Sequence, residues 1–196
     1  MKEIIFASHN KGKIAEIRQI LTPLGVKVLS SDDMELPDVE ETGTTFEENA
    51  ALKALAIAKI KNVPCLADDS GLCVDVLGGR PGVYSARYAP NRDFNKAMQM
   101  LLAEMKETHS NNRNAHFSCV LVLGYPNGTY HAFEGRVDGQ IIDEQRGDGG
   151  FGFDPVFMPN GYDKTFAELG SDVKNKISHR GHALEKFAAY ITEKGI

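Results

Sequence analysis

Apolar residues recur along this chain with two periods, and glycines and prolines mark where the period changes. Lys2 to Ala7 carries Ile4, Ile5 and Phe6 in a short run that predicts a first strand. Ile14, Ile17, Ile20, Leu21 and Leu24 then fall at helical spacing, and Pro23-Leu24-Gly25 closes that helix. Val26 to Leu29 predicts a short second strand, and the polar, acidic stretch from Ser30 to Gly43 a loop. Thr45-Phe46-Glu47-Glu48 matches a capping box, so a second helix starts there, with Leu52, Leu55, Ala56 and Ile60 as its expected inward face. Pro64 to Ala67 predicts a short strand that delivers Asp68-Asp69-Ser70-Gly71 to its end. Gly78-Gly79-Arg80-Pro81-Gly82 can only be loop.

The most regular helix follows Asp93, with Phe94, Ala97, Met98, Leu101, Leu102 and Met105 on one face. Asn114 to Gly124 reads as a buried strand, Pro126-Asn127-Gly128 as a hairpin turn and Thr129 to Glu134 as its partner, with Val137 to Ile142 continuing the sheet. A glycine-rich loop spans Gly147 to Pro155. Ser178 caps a last helix with Leu184, Phe187, Ala188 and Ile191 inward. Early alternation of helix and strand followed by a hairpin predicts an α/β fold with a central mixed sheet flanked by helices.

Composition narrows the function classes. The 196 residues suffice for one domain or two small lobes. The formal net charge of −5 argues against a duplex-binding surface, so no nucleic-acid partner is expected. No apolar run approaches the roughly 18 residues that cross a bilayer, and the opening segment turns polar too soon for a signal peptide. Cys65, Cys73 and Cys119 are scattered and lack zinc-site spacing, which fits reduced thiols in a cytoplasmic protein.

The unusual residues lie in the irregular segments. Ser8-His9-Asn10-Lys11-Gly12-Lys13 joins the first strand to the first helix, where unpaired N–H groups, two lysines and neutral donors suit a polyphosphate. It lacks Walker A spacing. Glu40-Glu41-Thr42-Gly43 offers carboxylates to a hard cation such as magnesium, which needs only one or two acids beside substrate phosphates. Asp68-Asp69 places two carboxylates together; buried, such a pair needs a metal or hydrogen bonds to stay ionised. Gly149-Gly150-Phe151-Gly152-Phe153-Asp154-Pro155 sets two aromatics among glycines, a surface for base stacking, with Asp154 as an acceptor for a purine edge. In Lys174-Asn175-Lys176-Ile177-Ser178-His179-Arg180-Gly181, His179 and Arg180 open a helix, where the dipole disfavours cations and so points to a nearby anion or polar ligand. Each segment alone also has a plainer reading: a solvated polar or acidic loop, a capping or turn aspartate, or, for Phe151 and Phe153, a core-facing pair at a tight turn. Together they are the parts of a nucleotide-processing site.

These motifs, with Glu16, Phe46, Glu48-Asn49-Ala50 and the run Gly78 to Arg87, occur in an order that resembles the inosine triphosphate pyrophosphatase family, its bacterial members in particular. The resemblance covers nearly the whole chain. It implies residues 1–196 as one elongated α/β domain with two lobes around a central cleft, a homodimer, a Mg²⁺ requirement, and hydrolysis of ITP, dITP and XTP to monophosphate and pyrophosphate, cleansing the nucleotide pool. Carried onto this sequence, it implies that Ser8, His9, Asn10, Lys11, Gly12 and Lys13 bind the triphosphate. Lys53 is a further phosphate candidate. Asp69 becomes proton acceptor and metal ligand, Glu41 the other ligand with Glu40 adjacent, and Ser70 a substrate contact. Phe151, Gly152, Phe153 and Asp154 would hold the base, His179 and Arg180 would contact its edge, and Lys174 would help bind the nucleotide. Competing expectations are a pyrophosphatase for other modified nucleotides and a sensor that binds nucleotide without hydrolysis.

Overall fold

The computed structural model describes residues 2–196. Its strands are β1 (Lys2–Phe6), β2 (Val26–Leu29), β3 (Cys65–Val74), β4 (Asn114–Gly124), β5 (Tyr130–Ile141) and β6 (Phe157–Pro159). Its helices are α1 (Lys11–Leu21), α2 (Phe46–Lys61), α3 (Phe94–Glu107), α4 (Ser171–Ile177) and α5 (His179–Lys194), with short 3-10 turns between some of them. The strands form one sheet in the order β2-β1-β3-β4-β5-β6. β1 pairs in parallel with β2 and β3, and β5 pairs antiparallel with β6, so the sheet is mixed, as the order of periods predicts.

The chain groups into two compact units. One comprises residues through Asp69, Cys119–Gly135 and His179–Ile196; the other comprises Ser70–Ser118 and Arg136–Ser178.

In the first unit, alternation along the strands sends successive side chains to opposite faces. Ile4 and Phe6 of β1, Leu66 of β3 and Cys119, Leu121 and Leu123 of β4 pack with Ile14, Ile17 and Leu21 of α1 and Leu184, Phe187 and Ile191 of α5. Ile5 and Ala7, Cys65 and Ala67, and Val120 and Val122 pack instead with Ala50, Ala51, Ala54, Ile57 and Ala58 of α2. This reverses the inward face expected for α2. Leu52 is 39% and Ile60 61% exposed, while Ala50, Ala51, Ala54 and Ala58 are buried. Small side chains let the helix axis approach the sheet, and close packing outweighs the larger transfer energy of the leucines.

In the second unit, α3 lays Ala97, Met98, Leu101 and Met105 on Leu72 and Val74 of β3, Phe117 of β4, Val137 and Ile141 of β5 and Phe157 of β6. The helix face read from the sequence is the one found. Asp93 caps α3, its side chain accepting from the Lys96 N–H at 3.1 Å.

Two further expectations are corrected. β3 does not stop at Ala67 but runs through the Asp-Asp-Ser-Gly segment to Val74, because Leu72 and Val74 continue the buried alternation. Lys174 to Ile177 is not loop but most of α4, a helix too short and too polar to show a clear apolar stripe.

Candidate active site

β3 turns Asp68 and Asp69 to opposite faces of the sheet. Asp68 shares the α1/α5 side with Leu66, and Asp69 shares the α2 side with Ala67. The mutual repulsion expected of neighbouring carboxylates is thereby relieved, and each finds its own partners.

Asp68 is 1% exposed. Arg180 donates to its Oδ2 from Nη2 at 3.1 Å and from Nε at 3.4 Å, and Lys13 Nζ donates to Oδ1 at 3.2 Å. The Cys119 thiol lies 3.8 Å from Oδ2. Burial alone would raise this carboxyl; Lys13, Arg180 and Lys53 outweigh it and hold it well below the usual carboxylate range. Arg180 Nη1 also grips the buried Glu16. The sequence expects Arg180 at a base edge, yet all three of its guanidinium nitrogens bond these two carboxylates. The anion that offsets the dipole penalty at the start of α5 is the protein's own.

Asp69 is 4% exposed and differs in kind. Burial pushes it up to about 6; Lys13 and Lys53 pull against that, and Glu41 adds to it. Asn49 donates to its Oδ2 at 3.0 Å. Lys53, one helical turn beyond Asn49 on α2, donates to Glu41 Oε1 at 2.8 Å. Burial lowers Lys53, but Asp68, Glu41 and Asp69 outweigh it and keep the ammonium charged.

The junction between β1 and α1 sits in the same unit. Asn10 is the N-cap of α1, accepting from the Lys13 N–H at 3.1 Å, and Ser8 Oγ accepts from the Asn10 N–H at 3.1 Å. Gly12 lies in the first turn, Lys11 is exposed, and His9 pairs at 3.2 Å with the exposed Asp38. Thus Lys13, Lys53, Glu41, Asp68, Asp69 and Arg180 form one electrostatic constellation, with the remaining junction residues beside Lys13.

The donors fit a hard cation. Among the described residues there is no cluster of three or more His, Cys, Asp or Glu side chains placed to hold a metal unaided. Magnesium does not need one, because phosphate oxygens and water complete its shell. Asp69 and Glu41 are oxygen donors that act on each other electrostatically; burial is the main reason Asp69 is raised, and Glu41 adds to it.

A separate group lies in the second unit. Asp154 and Lys174 form a buried ion pair at 2.6 Å, and the Phe151 N–H donates to the same Asp154 oxygen at 3.0 Å. Lys174 Nζ lies 4.5 Å above the Phe151 ring. Gly150 has φ +67°, and a side chain there would collide with the Asp154 carboxylate, so the loop requires glycine. Gly152 is the next positive-φ glycine of the loop. Phe153 is not part of an open platform: it is 3% exposed and packs edge-on against Phe94 at 5.5 Å. Beside Lys174, both polar atoms of the Asn175 amide are buried with no hydrogen-bond partner. Ser70 follows Asp69 in β3, half-buried, and His179 is buried at the start of α5.

Sequence reasoning gave no role to Asn49 or Asn175. A fourth-position asparagine in a helix is an ordinary surface residue by pattern; only burial distinguishes it. The thiols stay inert, burial pushing Cys65 and Cys119 up to about 12 and Cys73 up to about 11.

The Ham1 family profile matches residues 4–190. The chain belongs to the Ham1 family. This agrees with the resemblance carried by the ordered motifs. A Bacillus subtilis (strain 168) protein named dITP/XTP pyrophosphatase is 50% identical over 190 residues, 96% of each chain. One of the same name from Mesorhizobium japonicum is 45% identical over 202 aligned positions, covering 95% of this chain and 92% of its own. A Coxiella burnetii HAM1 protein superposes with a TM-score of 0.90 at 41% identity, and the Staphylococcus aureus Ham1 protein with 0.87 at 42%; each match covers 98% of this chain and 100% of the other. For this Ham1 chain, the α/β fold with its mixed sheet is therefore that of its relatives. No helix among the described residues is long and apolar enough to cross a membrane.

Proposed function

We propose that this Ham1 chain hydrolyses non-standard purine nucleoside triphosphates, ITP, dITP and XTP, to the monophosphate and pyrophosphate. The observation that carries the reading is Asp69: a buried carboxylate held by Asn49 at 3.0 Å, pushed up by burial and under the electrostatic influence of Lys13, Lys53 and Glu41. The names of its relatives support the same chemistry.

In this reading the triphosphate lies against Lys13, Lys53 and the first turn of α1, where the dipole and the lysines offset its charge. Mg²⁺ held by Glu41 and Asp69 would neutralise charge that grows on the phosphate oxygens. Asp69 would orient the attacking water and take up its proton; burial raises its carboxyl toward that task, and a bound cation would pull it down again. Asp68 serves differently. Bound to Arg180 and Lys13, it fixes the lysine and stays ionised.

The second unit, taken by itself, carries a group suited to a purine base. Phe151 offers a ring for stacking, and Lys174 and Asn175 offer donors to a 6-oxo group, which adenine lacks. An amide buried without a partner costs about 1–3 kcal/mol, a penalty that a bound base edge would relieve.

Pyrophosphate release from ITP, dITP, XTP, GTP and ATP, with and without Mg²⁺, tests the proposal. Rapid Mg²⁺-dependent release from the first three is the expected result. Equal turnover of ATP sinks the base assignment, release without metal sinks the cation's role, and binding without release makes the protein a sensor. Faster turnover of other modified nucleotides would favour the alternative substrate class. A homodimer and a cytoplasmic location complete the proposal, the first to be checked by sedimentation and the second by fractionation.

A further inference from the structure

Asn49 is 0% exposed, in the first turn of α2, and both ends of its amide are used. Its Oδ1 accepts from the Gly43 N–H at 2.8 Å, and its Nδ2 donates to Asp69 Oδ2 at 3.0 Å. Gly43 is two residues from Glu41. A Cβ on Gly43 would stand 2.8 Å from the Asn49 oxygen and 2.6 Å from Glu48 Cβ, so this approach of loop to helix needs glycine. Four residues further along α2, Lys53 holds Glu41 itself at 2.8 Å. Residues four apart share a helix face. One face of α2 therefore grips Asp69 directly and the Glu41 loop at two points.

We infer that Asn49 is a positioning residue: it sets the Asp69 carboxylate and the Glu41 loop in register so that both act on one divalent cation. The inference rests on the cation site of the proposed function. It adds a residue that touches neither substrate nor metal. The amide suits the task because it donates and accepts at once; an aspartate there would still take the Gly43 N–H but could not donate to Asp69. Partners of this kind cost 10–100-fold in metal affinity or activity when removed.

The test is Mn²⁺ binding, followed by electron paramagnetic resonance, alongside steady-state ITP turnover and thermal melts for wild type, Asn49→Ala and Asn49→Asp. Asn49→Ala should melt cooperatively, bind Mn²⁺ at least about tenfold more weakly and lose kcat by a similar factor, with the KM for ITP at saturating metal little changed. Asn49→Asp keeps the loop contact and adds a carboxylate. It should retain Mn²⁺ yet lose about tenfold or more in kcat, a separation that a merely structural residue would not produce. If Asn49→Ala does not fold, the aspartate variant decides. Wild-type Mn²⁺ affinity in Asn49→Ala, or turnover within about threefold of wild type in Asn49→Asp, overturns the inference. Wild type that binds Mn²⁺ but does not hydrolyse ITP defeats the proposed function alone, and the Mn²⁺ titration of Asn49→Ala then decides this one. Wild type that binds no Mn²⁺ overturns this inference, while pyrophosphate release from ITP still decides the proposed function.

Discussion

Asp68 and Asp69 are adjacent, chemically identical and driven in opposite directions. Period-two alternation sends one toward two cations and the other toward an amide and a carboxylate, and the environments do the rest. Asp69→Asn should lower turnover by about 10²–10⁴ while leaving nucleotide binding measurable by calorimetry; near-normal turnover would remove its role as base. Asp68→Asn strands Arg180 beside a single carboxylate, and should cost about 3–5 kcal/mol in urea unfolding at neutral pH. The sign of its pH dependence follows from its depressed value. The stabilisation is present above the ordinary Asp value of about 3.9 and is lost as pH falls through the folded one. The wild-type urea midpoint should therefore fall below about pH 4 more steeply than that of Asp68→Asn.

At the scale of elements, α2 is the instructive case. Its capping residues were legible, and Thr45 does accept from the Glu48 N–H at 3.1 Å. Its inward face was not, because apolar residues occur on both sides and bulk alone favoured the leucines. The structure chooses the alanine side, where Ile57 is 1% exposed and Ile60 61%. Ile57→Ala should cost about 2–5 kcal/mol, whereas Ile60→Ala should stay within about 0.5 kcal/mol. Thermal melts that reverse this order would refute the assigned face. α3 had no such ambiguity, since one stripe alone was apolar. α4 was missed for the opposite reason: seven residues with three charges show no period.

At the scale of the molecule, two compact units carry two different chemistries. Charge and candidate metal ligands lie in one, and the Phe151, Asp154, Lys174 and Asn175 group in the other. Asn175→Leu, close in volume and without polar atoms, tests that division. It should leave the melting temperature unchanged or higher, since an unpartnered amide is removed, while kcat/KM for ITP falls about tenfold and Mn²⁺ binding is unaffected. A lowered melting temperature with unchanged selectivity would make Asn175 a plain structural residue.

The sequence by itself determined the order of the elements other than β6 and α4, the class of fold, the caps of α2 and α3 and a short list of candidate site residues, because these depend on local period and residue type. The tertiary structure decided which two carboxylates Arg180 holds, that β3 runs on through the aspartates, that Phe153 belongs to the core and that Asn49 reaches Asp69. Each of those turns on contacts between segments distant in the chain, and on which of two faces is buried, and neither leaves a periodic trace.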